Sequence, residues 1–283
     1  MKVKSKIGAG VNLTIQIVNF RSRDCLASCL LSIAQNLSAW ISAEVVIINN
    51  DDEDLDEMAE CFRNDPVCRV IELNQNVGFG RAHNLGLKSA RGEYVLFLNP
   101  DTKVLPGALG SLLDTFSKNE KAGMVGPLLV GAGGEIQPDC FGARKTPFSM
   151  IGEKIYSFPK TSVEASDKAL EVDWVSGGAM MARREFFEKI GGFDENYFMY
   201  FEDVDLCRRA KRMGYRVMIN PAARVFHESG KSFASEREKK KHYYASQDYY
   251  LRKHFGPAWA GAVKLLRLPY YAKNVWLNQA TKY

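Results

Sequence analysis

The 283-residue sequence has no continuous apolar run near the ~18–20 residues that a membrane-spanning helix needs. Its first ten residues, MKVKSKIGAG, lack the apolar segment of a secretory signal peptide. Both absences predict a soluble, cytoplasmic protein. Cysteine is also scarce: the six cysteines form no Cys-x-x-Cys pair, which favours reduced thiols over disulfides or a zinc site. With 46% hydrophobic and 25% charged residues, the composition excludes disordered, collagen-like and coiled-coil chains.

The basic charge of the chain is unevenly distributed. A net charge of +5 is too small, if spread evenly, to indicate a nucleic-acid-binding protein. Residues 236–283, however, hold ten Lys and Arg against three Asp and Glu. We therefore divide the chain into a near-neutral domain at 1–235 and a basic, aromatic, helical extension at 236–283. The Lys, Arg, Tyr and Trp of this extension suit an anionic membrane surface; the alternative is a helix that packs on the domain or mediates a homodimer.

Apolar strand-like segments alternate with amphipathic helical segments in the first 130 residues. This order predicts an α/β fold with a doubly wound, mostly parallel sheet and helices on both faces. Ligands of such sheets bind beyond the carboxyl ends of the strands, so the residues after each strand matter most. Residues 131–170 lack periodicity and are interpreted as a long loop. The predicted strands are 11–20, 43–50, 68–73, 93–99 and 215–220, and the predicted helices are 24–37, capped by Asp24, 80–90 and 203–214.

Two of these strand ends carry polar residues that suit substrate binding. Asp101 follows the strand at 93–99, and it is placed either to hold a divalent cation against substrate phosphates or to cap the following turn. The segment IINNDDED at 47–54 follows another strand. Its polar residues are placed either to contact a base and a ribose or to begin a solvated helix.

A cluster of carboxylates follows the aromatic run Tyr197–Phe201. Glu202, Asp203 and Asp205 repel one another, which raises pKa values and provides a general base, although acids in a first helical turn are also simply stabilising. Helical geometry points Asp203 and Asp205 about 200° apart, so only one of them faces a substrate. Asp203 is the predicted base, and Glu202 is expected to orient either Asp203 or an acceptor hydroxyl. Asp205 is expected to cap the helix or to pair with an arginine three or four residues on.

Four longer segments stand in order along the chain: LTIQIVNFRSRDCLASCLLSI, NVGFGRAHNLGLKSARGEYVLFLNPDTKV, WVSGGAMMARREFFEKIGGFDENYFMYFEDVDLCRRAKRMGYRV and HESGKS. In order and spacing they resemble the family 2 glycosyltransferases, which have the GT-A fold. The similarity is greatest to the bacterial rhamnosyltransferase-like branch of that family. It spans residues 12–233.

The resemblance implies a role for each matching residue. Asp203 matches the catalytic base, Asp101 the metal-contacting carboxylate, and His227 a further metal ligand. Asn99 stands where the family has the first acid of its Asp-x-Asp element. The implied donor-nucleotide contacts are Val18, Asn19, Phe20, Arg21, Asn49, Asn50, Asp51, Asn76, Gly78, Arg81 and Asn99, and the implied acceptor contacts are Trp174, Ser176 and Gly177.

The activity implied by the resemblance is metal-dependent sugar transfer with inversion, at the cytoplasmic face of the plasma membrane. The expected cofactor is Mn²⁺ or Mg²⁺. The expected donor is a nucleotide sugar, namely dTDP-rhamnose, UDP-galactofuranose or a UDP-hexose, with rhamnose favoured by the resemblance. The acceptor is a hydroxyl of a cell-surface glycan or glycolipid. One alternative is a nucleotidyltransferase, which would carry a Gly-rich basic signature near the first strand. Another is a non-catalytic nucleotide-sugar-binding module, against which Asp101, Asp203 and His227 argue.

Overall fold

The computed structural model describes residues 12–53, 55, 67–151, 163–228 and 236–271. Within them the strands are β1 (Leu13–Asn19), β2 (Ala43–Asn49), β3 (Val67–Glu72), β4 (Tyr94–Leu98), β5 (Thr102–Val104), β6 (Ala122–Val130), β7 (Phe141–Gly142), β8 (Leu170–Val172), β9 (Trp174–Val175), β10 (Ala179–Arg183) and β11 (Arg216–His227). The helices are α1 (Arg23–Asn36), α2 (Phe79–Leu87), α3 (Ala108–Lys118), α4 (Pro147–Ile151), α5 (Arg184–Lys189), α6 (Glu202–Arg212), α7 (Glu236–Phe255) and α8 (Pro257–Tyr271). None of these described helices combines the length and the apolarity that crossing a membrane requires.

The main sheet has nine strands in the order β3-β2-β1-β4-β10-β6-β11-β5, with β8 added against β11. β1, β2, β3, β4, β6 and β11 run in one direction, and β5, β8 and β10 run in the other. The predicted α/β fold with a mostly parallel sheet is therefore confirmed. The antiparallel strand β10 lies between β4 and β6, so a strand from late in the sequence joins the two parallel parts.

The centre of the sheet is buried along its full length. Every residue of β1 and of β6 is buried, as are the last four of β4. Continuous burial is typical of strands that are covered on both faces. The register pairs Ile17 with both Ile47 and Leu98, so β1, β2 and β4 end at the same edge. The polar residues that follow these strands consequently meet at one edge of the sheet.

Helix α1 begins without the predicted cap. Asp24 lies inside the first turn, and Ser22 occupies the N-cap position. The Ser22 hydroxyl donates to the carbonyl oxygen of Phe20 at 2.8 Å, so it makes no cap hydrogen bond to the helix. Asp24 nevertheless lies at the positive end of the helix dipole, where a carboxylate is stabilising.

Two segments are more regular than predicted. The strand expected at 215–220 continues to His227, because its second half pairs with the end of β6 beyond an irregularity in the register. The segment 131–170, interpreted from sequence as a loop, contains β7 and α4. Its residues 152–162, like most of the acidic stretch after β2, lie outside the described residues.

Helix α7 is joined to the domain by a buried ion cluster on α6. Asp205 is fully buried and accepts hydrogen bonds from Arg209 Nε and His254 Nε2, each at 2.7 Å; Lys253 Nζ lies 2.6 Å away. Burial alone would raise the pKa of Asp205, but the hydrogen bond from His254 and the charge of Arg209 help to lower it. Arg209 is thus the arginine expected four residues on. Tyr250 of α7 is buried in the main core, so the described part of α7 packs on the domain.

We expect Asp205→Asn to lower the free energy of unfolding by about 3 kcal/mol near neutral pH, because basic groups in the cluster lose their counter-charge. The folded pKa of Asp205 lies below its ordinary value of 3.8. Its carboxylate therefore stabilises the fold above pH 3.8, and this contribution is lost as the pH falls through the folded pKa. Urea denaturation at both pH values measures this effect. The difference in free energy of unfolding between the variant and the wild type should be smaller at about pH 3 than near neutral pH.

Asp114→Asn is the matched control, since Asp114 pairs with Lys118 at the same four-residue spacing on the exposed surface of α3. We expect it to change the free energy of unfolding by less than about 0.5 kcal/mol. Equal losses in the two variants would show that the buried cluster does not hold α7 in place.

Candidate active site

A cleft of about 830 Å³ opens where β1 and β4 end. Its walls also include the loop before α6, the end of β11 and the start of α7. The strand-end clusters singled out in the sequence therefore share one cavity. The predicted site residues that line it are Val18, Phe20, Asn50, Asn76, Asn99, Asp101, Trp174, Ser176, Gly177, Glu202, Asp203 and His227.

The other predicted site residues bind within the protein or face outward. Asn19 and Asn49 are fully buried and hydrogen-bond to each other at 3.1 Å. Asp51 accepts the backbone N–H of Arg21 at 2.5 Å, which ties the end of β2 to the end of β1. Arg81 lies on α2 beside an exposed glutamate. The predicted residues outside the cleft wall are Asn19, Arg21, Asn49, Asp51, Gly78 and Arg81.

A hydrogen-bonded loop forms the wall of the cleft next to β2. Asn50 Oδ1 accepts the backbone N–H of Val77 at 2.9 Å, and Asn50 Nδ2 donates to Asn76 Oδ1 at 3.1 Å. Gly78 has a φ of +89°, and a Cβ at this position would lie 2.6 Å from the carbonyl oxygen of Phe198. Glycine is required there by both the backbone conformation and the close approach.

The start of α6 presents Asp203 to the cleft. Tyr200 and Phe201 both have positive φ, 68° and 67°, which non-glycine residues rarely adopt and which is retained at functional sites despite its strain. Asp203 Oδ2 accepts the backbone N–H of Gly177 at 2.9 Å, and Oδ1 accepts that of Val204 at 2.7 Å. Two backbone donors therefore hold this carboxylate at the cleft wall.

The electrostatics of this turn favour protonated carboxyl groups. Burial raises the pKa of Asp203, although the hydrogen bonds from Gly177 and Val204 oppose that effect. Burial and the charge of Asp203 raise the pKa of Glu202 well above its usual range. Glu202 Oε2 is buried and has no hydrogen-bond partner among the described residues. The two groups form a pair whose raised pKa values make it a better proton acceptor than exposed carboxylates.

A second polar pair, Asp101 and His227, lies in the same cleft. Asp101 Oδ1 is 3.3 Å from His227 Nε2 and has no hydrogen-bond partner in the part of the chain that the structure describes. His227 Nδ1 lies 2.7 Å from Gln137 Oε1, which accepts its N–H, and the Nε2 of the same ring faces Asp101. A carboxylate oxygen and an imidazole nitrogen converge here. Over the described ranges, no group of three or more His, Cys, Asp or Glu is placed to hold a metal ion.

Sequence reasoning missed several residues of the cleft wall. Lys239 and Lys240 are conspicuous in the sequence, but a charge run is usually solvent-exposed and nothing local shows that it faces a cavity. Gln137 belongs to a segment interpreted as a loop, and no motif marks it. The further residues of the wall that were not predicted include Glu135, Asp139, Lys145, Met199, Tyr200 and Tyr243.

Two curated relatives are rhamnosyltransferases. The N-acetylglucosaminyl-diphospho-decaprenol L-rhamnosyltransferase of Mycobacterium tuberculosis is 33% identical over 192 residues, covering 59% of this chain and 61% of the relative. The rhamnosyltransferase WbbL of Escherichia coli is 30% identical over 164 residues, covering 53% of this chain and 60% of the relative. The chain thus spans about three fifths of the length of these relatives.

Among solved structures, GalNAc-T7 with UDP, GalNAc and Mn²⁺ is similar at a TM-score of 0.66 and 14% identity, over 97% of this chain and 59% of that chain. This likeness confirms the expected GT-A fold. A family model described as the N-terminal domain of galactosyltransferase matches residues 159–231. The model described as glycosyl transferase family 2 matches residues 14–191, more than half of the chain. The resemblance seen in the sequence is thereby confirmed, and the chain belongs to glycosyl transferase family 2.

Proposed function

We propose that the protein is a metal-dependent, inverting glycosyltransferase. It moves a sugar, with rhamnose as the first candidate, from a nucleotide sugar to a hydroxyl of a cell-surface glycan or lipid-linked acceptor. The observation that carries the proposal is a single cleft with two carboxylates in different settings. Asp203 rests on backbone N–H groups and has a raised pKa, whereas Asp101 faces the imidazole of His227. The family membership and the two rhamnosyltransferase relatives support the class of reaction and the sugar.

Asp203 is the general base of this proposal. The acceptor hydroxyl gives its proton to a carboxylate oxygen of Asp203 while the acceptor oxygen attacks the anomeric carbon of the donor sugar. The bond between that carbon and the β-phosphate oxygen breaks, its electron pair leaves with the nucleoside diphosphate, and the configuration inverts. The N–H groups of Gly177 and Val204 hold the carboxylate in place, and burial keeps it basic despite them.

Glu202 stays protonated beside Asp203 in this proposal. Two negative charges in adjacent, buried positions repel each other, so one negative charge shared by the pair is the stable state. The pKa of Glu202 is raised by burial and by the charge of Asp203, which assigns the proton to Glu202. A protonated Glu202 donates a hydrogen bond that orients Asp203 or the acceptor hydroxyl.

Asp101 and His227 fit a divalent metal by their chemistry. The orphan Oδ1 of Asp101 and the Nε2 of His227 converge, and Gln137 holds the imidazole by accepting from Nδ1. The carboxylate suits Mn²⁺ or Mg²⁺, and the imidazole favours the transition metal Mn²⁺; substrate phosphates and water would supply the remaining ligands. When bound, the ion supplies a Lewis acid that neutralises the leaving diphosphate. The Mn²⁺ and UDP in the similar GalNAc-T7 structure support this assignment.

The acceptor end of the cleft is aromatic and basic. Trp174 Nε1 donates to the carbonyl oxygen of Ala143 at 3.0 Å, and Lys145 Nζ lies 5.6 Å from the centre of the Trp174 ring. Lys239 and Lys240 line the same cleft. Such side chains suit a sugar that carries phosphate, and the name of the mycobacterial relative describes an acceptor of that class. We therefore favour a lipid-diphosphate-linked acceptor, used at the cytoplasmic surface of a membrane.

Asp203→Asn is expected to lower kcat by ~10²–10⁴ while nucleotide affinity barely changes, because Asn keeps the shape of Asp but accepts no proton. Release of nucleoside diphosphate from dTDP-rhamnose, with a lipid-linked acceptor present, measures kcat. Titration calorimetry with dTDP measures the affinity.

Asp139→Asn is the control for that variant, because Asp139 lines the same cleft and its charge contributes to the raised pKa of Asp203. It should keep kcat and move the acidic limb of the pH–rate profile to lower pH. Turnover that is lost in Asp139→Asn but kept in Asp203→Asn would transfer the role of the base to Asp139.

Asp101→Ala is expected to abolish the gain in nucleotide affinity that Mn²⁺ provides, because it removes the carboxylate that meets the metal. Calorimetry with UDP and with dTDP, each with and without Mn²⁺, measures that gain. Glu135→Gln removes an exposed carboxylate from the same cleft and should leave the gain intact. A full Mn²⁺ effect in Asp101→Ala would exclude Asp101 as a metal ligand.

Glu202→Gln should make protein stability less dependent on pH. The folded protein holds the proton of Glu202 more tightly than the unfolded chain, so wild-type stability falls as the pH rises from the ordinary value of 4.5 toward the raised pKa. Gln does not titrate, so the variant does not lose stability in this way as the pH rises. The variant should match the wild type near pH 4 and exceed its free energy of unfolding by at least about 1 kcal/mol near pH 8. Parallel urea titrations that show the same difference at both pH values would contradict the raised pKa.

A further inference from the structure

The outer side of α8 is apolar, where a surface helix is usually polar. Its inner side packs on α7 through Ala260 and Val263, which are buried against Leu251. On the outer side, Leu265 is 70% exposed and Leu266 is 63% exposed. The helix therefore has apolar side chains on both sides, although only the inner side is covered by described residues.

Helical geometry shows that this outer surface is continuous. At about 100° per residue, positions 259, 262, 265, 266 and 268 fall within one half of the helix circumference. Lys264 lies about 40° outside that half, next to Leu268. The residues at these positions are Trp259, Ala262, Leu265, Leu266 and Leu268, all of them exposed.

Helix α4 extends the same surface. Phe148 and Ile151 are 62% and 51% exposed, and the Phe148 ring packs edge-on against Trp259 with the ring centres 5.0 Å apart. Scattered exposed apolar residues are ordinary, but a contiguous group marks a site of interaction. The α4–α8 face is defined here by Phe148, Ile151, Trp259, Leu265, Leu266 and Leu268.

We propose that the α4–α8 face docks on an anionic lipid bilayer, with its apolar side chains in the interfacial layer. Charge complementarity selects this occupant, because α8, which supplies most of the face, belongs to the segment 236–283 with its ten basic and three acidic residues. Lys264 on α8 and Arg252 on α7 are exposed. An apolar face with a Trp and flanking basic residues is typical of helices that lie in the membrane interface.

The α4–α8 face adjoins the active-site cleft. A groove of about 460 Å³ is lined by Ile151 and Leu266 of the face and by Tyr243 of α7. Tyr243 also lines the cleft. Docking would thus bring the cleft to the bilayer surface, where a lipid-linked acceptor presents its sugar; this last step rests on the proposed function.

The test is vesicle binding by the full-length chain carrying Leu265→Glu and Leu266→Glu. Wild-type protein should co-sediment with vesicles of equal parts phosphatidylglycerol and phosphatidylcholine at low salt, and less with phosphatidylcholine alone. The double variant should bind the anionic vesicles at least about tenfold more weakly, because it removes two leucines from the interface and adds two charges that anionic lipid repels. A truncation after residue 235 is a poorer test, since it would also remove Tyr250 and Leu251 from the interior.

The matched control carries Leu31→Glu and Met213→Glu. These residues are also exposed, lie on α1 and directly after α6, and give the same change in net charge. The control should bind vesicles within about twofold of the wild type, because two distant charges alter only the long-range attraction. If both double variants lose vesicle binding equally, the change in net charge explains the loss, and the proposal is overturned.

Two further results would overturn it as well. One is a wild-type chain that does not bind anionic vesicles. The other concerns dimerisation, measured by sedimentation velocity without lipid. If the wild type is a dimer, and Leu265→Glu with Leu266→Glu dissociates it but leaves vesicle binding intact, the face binds a second copy of the chain. Nucleotide binding and sugar transfer are not needed for these measurements. A protein that binds vesicles through this face but transfers no sugar would refute the proposed function alone.

Discussion

The first turn of α6 determines how the molecule is arranged around its cleft, because it directs neighbouring carboxylates to opposite sides. Asp203 lies at the cleft and accepts a hydrogen bond from Gly177, whereas Asp205 is buried against Arg209 and Lys253. A helix turns by about 200° over two residues, so these carboxylates cannot share one side. The same turn therefore positions the proposed base and anchors α7, whose first residues form part of the cleft wall.

Three aspartates show how surroundings assign different roles to one chemical group. Asp205 has basic partners from two helices, which outweigh its burial and lower its pKa. For Asp203 burial prevails over the backbone hydrogen bonds, and its pKa is raised. Asp101 faces Nε2 of His227, whose Nδ1 lies against Gln137 on the other side of the ring. Asp205 accordingly forms an ion pair, whereas Asp203 is the proposed proton acceptor and Asp101 the proposed metal ligand.

Residues of the C-terminal segment 236–283 lie in different environments, which the composition of the segment does not distinguish. Its charge and aromatic content predict either a membrane-binding extension or a helix that packs on the domain or mediates a dimer, and the structure buries Tyr250 in the core and places Lys239 at the cleft. The apolar residues that face outward are confined to α8 and continue onto α4, a helix about 110 residues earlier in the chain. Core packing, the cleft wall and the exposed apolar face are thus divided among successive turns of two helices.

The sequence by itself determined the central strands, the edge at which they end and the opposed directions of Asp203 and Asp205. Burial on both faces demands a continuous apolar run, parallel strands share a carboxyl edge, and helical residues rotate by a constant angle. Only the tertiary structure decided which polar groups reach the cleft. Asn19 and Asn49 bind each other inside the sheet, because a buried amide must be hydrogen-bonded, while Gln137 enters from a segment without any pattern. The local pattern of apolar residues shows whether a residue is buried. Which residues surround it depends on contacts between segments that are distant in the sequence.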